Sequence, residues 1–163
     1  MSEPLVTIEV RGLDSVMNTL LAPILLAEPL RVAFERCGIA VSNEAKTRAP
    51  VFRGRLRQSI KWVTDSAQVP QFVRIGPNVD YAYYVHEGRS PGSWPPISAI
   101  RLWVERRGLP HNPYAVAGAI ASRGIQGRPF LTDGLRAAEP AIRQSFDECG
   151  RGIEANWSQA GVR

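Results

Sequence analysis

The apolar residues Leu30, Phe34, Cys37, Val41 and Ala45 recur at intervals of four, three, four and four. A helix buries such a set on one face, because its 3.6-residue turn stacks positions three and four apart. Leu131, Leu135, Ala138, Ile142, Phe146, Cys149 and Ile153 repeat the pattern near the other end of the chain. The first helix is predicted to begin at Pro29 and to end before Pro50. The second is predicted to be kinked or restarted at Pro140, which cannot donate to the turn before it.

The remaining residues read as short strands and loops. Val6, Ile8 and Val10 alternate with Thr7, Glu9 and Arg11, the period of a half-buried strand, which Gly12 ends. Asp14 is placed to cap a short helix from Ser15 to Leu21. Leu56 to Thr64 and Phe72 to Ile75 favour strands, joined as a hairpin through Asp65 and Ser66 and closed by Gly76-Pro77-Asn78. Asp80 to Glu87 fits a short strand or one helical turn. Gly88 to Pro96 is loop, with Trp94-Pro95 a candidate cis bond. Ile97, Ile100, Trp103 and Val104 mark a helix stopped by Gly108 and Pro110, and Asn112-Pro113 caps another from Tyr114 to about Ser122, stopped by Gly124. The expected fold is α+β: a small, mostly antiparallel sheet packed against a long helix of the N-terminal half and a C-terminal helix. One domain over 1–163 is expected, with a loop-helix insertion at about 89–127.

Composition narrows the function. At 44% hydrophobic and 21% charged the chain is globular, and 14 glycines with 13 prolines imply long loops. Cys37 and Cys149 each fall on an apolar helix face, the setting of buried free thiols in a reducing compartment. Met1 to Arg11 alternates and carries Glu3 and Glu9, so no export signal is expected. Leu20 to Leu30 is too short and too broken by Pro23, Glu28 and Pro29 to span a membrane. The net charge of +5 comes from arginine, the only lysines being Lys46 and Lys61. Arginine suits bidentate ion pairs across interfaces and phosphate contacts alike.

Catalytic patterns fail on chemistry. Gly88-Arg89-Ser90-Pro91-Gly92 spells a hydrolase nucleophile elbow, but Pro91 has no N–H to give the oxyanion hole, and His111 precedes Asp133 where the order should be reversed. His86-Glu87 opens like a zinc-protease motif, yet Ser90 stands at the second histidine. Two histidines and no Cys-x-x-Cys leave too few ligands for a transition metal, and no phosphate-cradling glycine motif occurs. No enzyme activity, cofactor or metal is expected.

The densest basic run is Arg48, Arg53, Arg55, Arg57 and Lys61, within Ala49-Pro50-Val51-Phe52-Arg53-Gly54-Arg55-Leu56-Arg57-Gln58-Ser59-Ile60. The reading is a helix, a proline stop, a turn with Gly54 at positive φ, then a strand with Leu56 and Ile60 on one face and Arg55, Arg57 and Ser59 on the other. This segment resembles the neck or tail-completion proteins of long-tailed bacteriophages, the group that includes the minor tail protein Z type. Tyr81-Ala82-Tyr83-Tyr84-Val85-His86-Glu87-Gly88 is similar to that family's aromatic segment ending in an acidic-glycine pair. Arg128-Pro129-Phe130-Leu131 is similar to its Pro-Phe opening of the last helix. The likeness runs from Ile39 to about Ala138. Where the family commonly has threonine before the turn glycine this chain has Arg53, so no threonine side chain is there to cap the turn.

The resemblance implies a non-enzymatic virion protein at the head-tail junction, present in the host cytoplasm during assembly. It implies a ring of identical subunits, six copies first and twelve next, meeting head-closure or adaptor proteins and tail-terminator or tail-tube proteins. Alternatives are a tail terminator capping the tail tube and a basic nucleic-acid-binding module. The expected interface residues are Phe52, Arg53, Arg55, Arg57, Ser59, Tyr84, His86, Glu87, Arg89 and Trp94. Pro50, Gly54, Leu56, Ile60, Gly88, Pro129 and Phe130 are the expected structural motif. The loop arginines are open to three uses, ion pairs with a neighbouring subunit, a solvated face and non-specific contact with packaged DNA, of which the first is favoured by their mixture with Phe52. Ordinary packing is the expected role of Tyr81, Tyr83, Tyr84 and Trp94. Phe130 is expected in the core, and Glu87 is placed to answer an arginine.

Overall fold

The computed structural model describes residues 5–11, 22–65 and 67–159. The chain is an α+β protein that divides into two compact units, Met1–Ala82 with Pro129–Arg163, and Tyr83–Arg128. The predicted helix at Ser15 to Leu21 lies outside the described residues.

In the first unit, β1 (Val6–Glu9), β2 (Ile60–Thr64) and β3 (Phe72–Pro77) form an antiparallel sheet in the order β1-β3-β2. Val6 lies opposite Ile75 and Trp62 opposite Ile75 on its other side, so alternate residues share a face. Ile60, Val73 and Ile75 are fully buried on that face. It packs against α1 (Ala22–Arg48), which approaches closely because Gly38 leaves room: a Cβ there would stand 2.6 Å from the Trp62 ring. The hairpin between β2 and β3 is held by Asp65, whose carboxylate accepts from the backbone N–H of Ala67 (3.3 Å) and Gln71 (3.0 Å).

The last element, α6 (Phe130–Gln159), lies antiparallel along α1. Gly134 meets Ala45, Phe34 meets Phe146 edge-on at 5.7 Å, and Arg36 pairs with Glu148. Burying the leucines and aromatics of this seam is worth roughly 1.5–3 kcal/mol for each large side chain. Both apolar helix patterns in the sequence therefore face each other as well as the sheet.

Several expectations give way. The first long helix begins at Ala22, and Pro29 lies inside it. Proline at 29 cannot donate to the Leu25 carbonyl one turn back. That carbonyl instead accepts from the Asn156 side-chain amide at 3.0 Å, so the helix runs on. At Pro140 α6 runs on without a restart; Pro140 and Arg136, whose carbonyl it frees, are both solvent-exposed, so that carbonyl is open to hydration. The strand expected from Leu56 starts only at Ile60, because Arg55–Ser59 forms a helical turn, α2. The spacing of Leu56 and Ile60 is the same for a strand face and a helix face, and the local hydrogen bonds decide for the helix. Gly76 and Pro77 do not close the hairpin; they continue β3 opposite Lys61 and Ile60. No peptide bond is cis among the described residues, Trp94-Pro95 included.

The chain passes from Ala82, the last residue of that stretch of the first unit, into the second through α3 (Ala82–His86), which settles the Asp80 to Glu87 alternative as one helical turn. Then come β4 (Gly88–Arg89), α4 (Ile97–Arg107), α5 (Pro113–Arg123) and β5 (Ile125–Gln126). Gly108 ends α4 in the left-handed conformation, and the Asn112 side chain caps α5 by accepting from the Tyr114 N–H at 2.9 Å. β4 and β5 pair antiparallel, Gly88 opposite Gln126 and Arg89 opposite Ile125. Backbones touch here: a Cβ on Gly124 would stand 2.2 Å from the Arg89 carbonyl oxygen, and one on Gly127 2.5 Å from that of His86.

Candidate assembly interface

The expected interface residues fall in two groups, one on each unit. In the first, α1 ends at Arg48, and the chain leaves it through Ala49, whose N–H still donates to the Ala45 carbonyl (2.9 Å), and half-buried Pro50. Val51 and Phe52 then project into solvent, 48% and 44% exposed. Gly54 reverses the chain with φ +75, a conformation that favours glycine, and no side chain caps the turn. The Gln58 N–H donates to the Gly54 carbonyl (2.9 Å) and the Ser59 hydroxyl to that of Leu56 (2.8 Å), which closes α2. Leu56 is its buried anchor, followed by buried Ile60.

This scaffold sets out the cations. The Arg53 guanidinium lies over the Phe52 ring, 5.8 Å from its centre. Arg55 and Arg57 are exposed, and among the described residues no carboxylate pairs with either. They do not share a strand face as expected, because residues two apart in a helix point about 200° apart. Arg55 shares its side of α2 with Ser59 instead. The turn thus presents an aromatic ring and arginines in a fan.

In the second group Tyr84 meets Tyr83 edge-on at 5.6 Å, and both are exposed. Trp94 is 56% exposed, its ring 3.5 Å from where a Cβ on Gly118 would stand. Tyr81 is also exposed, so these aromatics are surface features more than packing. Arg89 is half-buried and hydrogen-bonded to the Ser93 hydroxyl. His86, expected at the surface, is buried, with Nε2 3.7 Å from the carboxylate of exposed Glu87. Glu87 therefore answers a histidine where an arginine was expected. Gly88 takes φ +87 at the bend after it. Pro129 precedes α6, and Phe130 is buried in the first unit as expected.

Sequence reasoning passed over the outer face of the sheet. Thr7, Arg74 and Val63 lie in one row across β1, β3 and β2, and Val63 is 60% exposed. The Arg74 guanidinium covers the Phe72 ring at 4.4 Å, a second arginine-on-aromatic pair. The signal was legible: in Phe72-Val73-Arg74-Ile75 the first and third residues share a face in any strand.

Elsewhere the ionisable groups look structural. Burial pushes the Cys37 thiol up to about 11 and raises that of Cys149; both are free and buried. Hydrogen bonds from Gln144 and then Arg36 lower the half-buried Glu148 carboxyl. Ser90 of the elbow-like motif lies in a loop that continues to Pro96 before α4 begins, so it lacks the helix that an elbow requires. Among the described residues no group of three or more His, Cys, Asp or Glu is placed to hold a metal ion, and no helix is long and apolar enough to cross a membrane.

The fold and these surfaces define a small α+β protein that exposes aromatic and arginine side chains on both units. Residues 25–88 match the family model described as Bacteriophage HK97-gp10, putative tail-component. The matched segment contains most of α1, the arginine turn, the β2–β3 hairpin and α3. The likeness supports a structural phage tail protein over a catalytic one; it does not reach the narrower minor tail protein Z type. No curated protein and no solved structure matches the chain.

Proposed function

We propose that this chain is a non-enzymatic structural protein of a bacteriophage virion that acts at the head-tail junction. There it forms a ring, six copies being the favoured number, between connector and tail. The observation that carries this reading is the family match, because the matched segment ends α1 in the exposed Phe52, Arg53, Arg55 and Arg57 turn. Aromatic and arginine side chains on a rigid turn are the composition of interface anchors. A closed ring requires every subunit to present one patch to the next, and a turn held by Leu56 and Gly54 presents the same patch each time. Adaptor or head-closure proteins on one side and tail-terminator or tail-tube proteins on the other are the partners it would join.

The test is Arg57→Glu in the phage that encodes the chain. Arg57 is exposed, so the variant should fold and melt as the wild type does. Heads and tails should then accumulate unjoined, with infective particles down by about tenfold or more, the factor that ~1.4 kcal/mol of lost interface energy gives. Joining at the wild-type level would remove Arg57 from the interface. Particle-bound protein without cyclic symmetry in electron micrographs would overturn the ring.

A further inference from the structure

We propose that the unit Tyr83–Arg128 is the nucleic-acid contact of this chain, binding the phosphate backbone of duplex DNA through its arginines. The unit carries Arg89, Arg101, Arg106, Arg107, Arg123 and Arg128 against only two carboxylates, Glu87 and Glu105. Its net charge is +4, out of +5 for the whole chain, in little more than a quarter of the length. Most of the chain's net positive charge thus falls in one unit.

Pairing sharpens the contrast. On α1 and α6 every arginine but Arg151 is neutralised in place: Arg31 by Glu28 and Glu35, Arg36 by Glu148, Arg48 by Glu44, Arg136 by Asp133 and Arg143 by Glu139. In the second unit, among the described residues, no carboxylate pairs with Arg101, Arg107, Arg123 or Arg128. Glu105 stands four residues after Arg101, but acid following base is the weaker order for a helical pair. Arg107 lies over the Trp103 ring at 6.0 Å, which leaves its N–H groups at the surface.

An excess of like charge on a small unit is self-repelling, and a dense anion relieves that repulsion. Duplex DNA supplies one negative charge per ~1.7 Å of axis. All six cations are arginines, whose planar fork takes two phosphate oxygens at once. They are also distributed: Arg101, Arg106 and Arg107 on α4, Arg123 at the end of α5, Arg128 just past β5. Spread over several elements and around α4, they offer phosphates many separate points of contact, whereas a single carboxylate would meet only one. The Arg53 to Arg57 turn, by contrast, gathers its charge around an aromatic ring.

The experiment is a fluorescence-anisotropy titration of the full chain with a labelled duplex of mixed sequence over a range of salt. The wild type should bind at low salt and weaken steeply as salt rises. In R101Q/R123Q/R128Q the affinity at low salt should fall by about tenfold or more, and the salt slope should flatten by about 1 for each arginine removed. R53Q/R55Q/R57Q should stay within about twofold of the wild type. Should the triple variant melt early, the three single variants carry the same test, each with its own flattening of the slope.

Absence of salt-sensitive binding by the wild type overturns the proposal, as does equal loss in the Arg53 to Arg57 variant. If the wild type ignores DNA but binds poly-glutamate through the same three arginines, the occupant is an acidic protein surface and the DNA assignment is wrong. The inference stands apart from the head-tail reading, since the particle assay at Arg57 and this titration interrogate different residues.

Discussion

At the scale of single residues, the buried thiols carry a measurable consequence. Cys37 is fully enclosed between α1 and α6, and burial moves its thiol from the ordinary 9.0 to about 11. The folded protein therefore holds that proton more tightly than the unfolded chain does. The stability this contributes is fully present below pH 9 and is lost as pH rises through 11. In chemical denaturation, the margin of the wild type over Cys37→Ala should shrink steadily between pH 9 and 11. A margin independent of pH would show that the thiol does not ionise differently in the two states. That Cys37 is buried was legible from its place on the apolar stripe. That Pro29 sits inside the helix was not, because its missing donor is compensated by Asn156, a residue 131 positions from the Leu25 carbonyl it serves.

Among elements, the two long helices α1 and α6 meet backbone to backbone. A Cβ on Gly134 would stand 2.7 Å from the Ala45 backbone nitrogen, so Gly134→Ala must push the two helices apart, at a cost of about 1–3 kcal/mol. Gly150, on the same helix, has open space where a Cβ would go, and Gly150→Ala should stabilise by about 0.5–1 kcal/mol through helix propensity alone. Urea midpoints should move in opposite directions; movement in the same direction would mean that propensity outweighs the contact. Both long helices were readable from spacing, as were the Asn112 cap and the hairpin. The α2 turn was not, since a four-residue interval between apolar residues serves either period and its deciding hydrogen bonds are local.

In the molecule as a whole, buried mass and charge are unevenly shared. The large enclosed side chains, among them Phe34, Phe130, Leu131 and Ile75, belong to the first unit, whereas Val104 is the largest buried aliphatic of the second. A unit with so small a core opens at low cost. Hydrogen exchange should therefore reach α4 and α5 before α1 and α6, at rates set by local opening. Concerted exchange of all four helices would contradict this. The sequence showed the arginine excess but not its partition, because neutralisation depends on which carboxylates the helices bring within reach. The glycine-lined ribbon of β4 and β5 has a last consequence. Chain entry and exit are pinned at adjacent points, so the helices beyond can be lengthened, shortened or exchanged between lineages as a cassette while the two ends stay where they are.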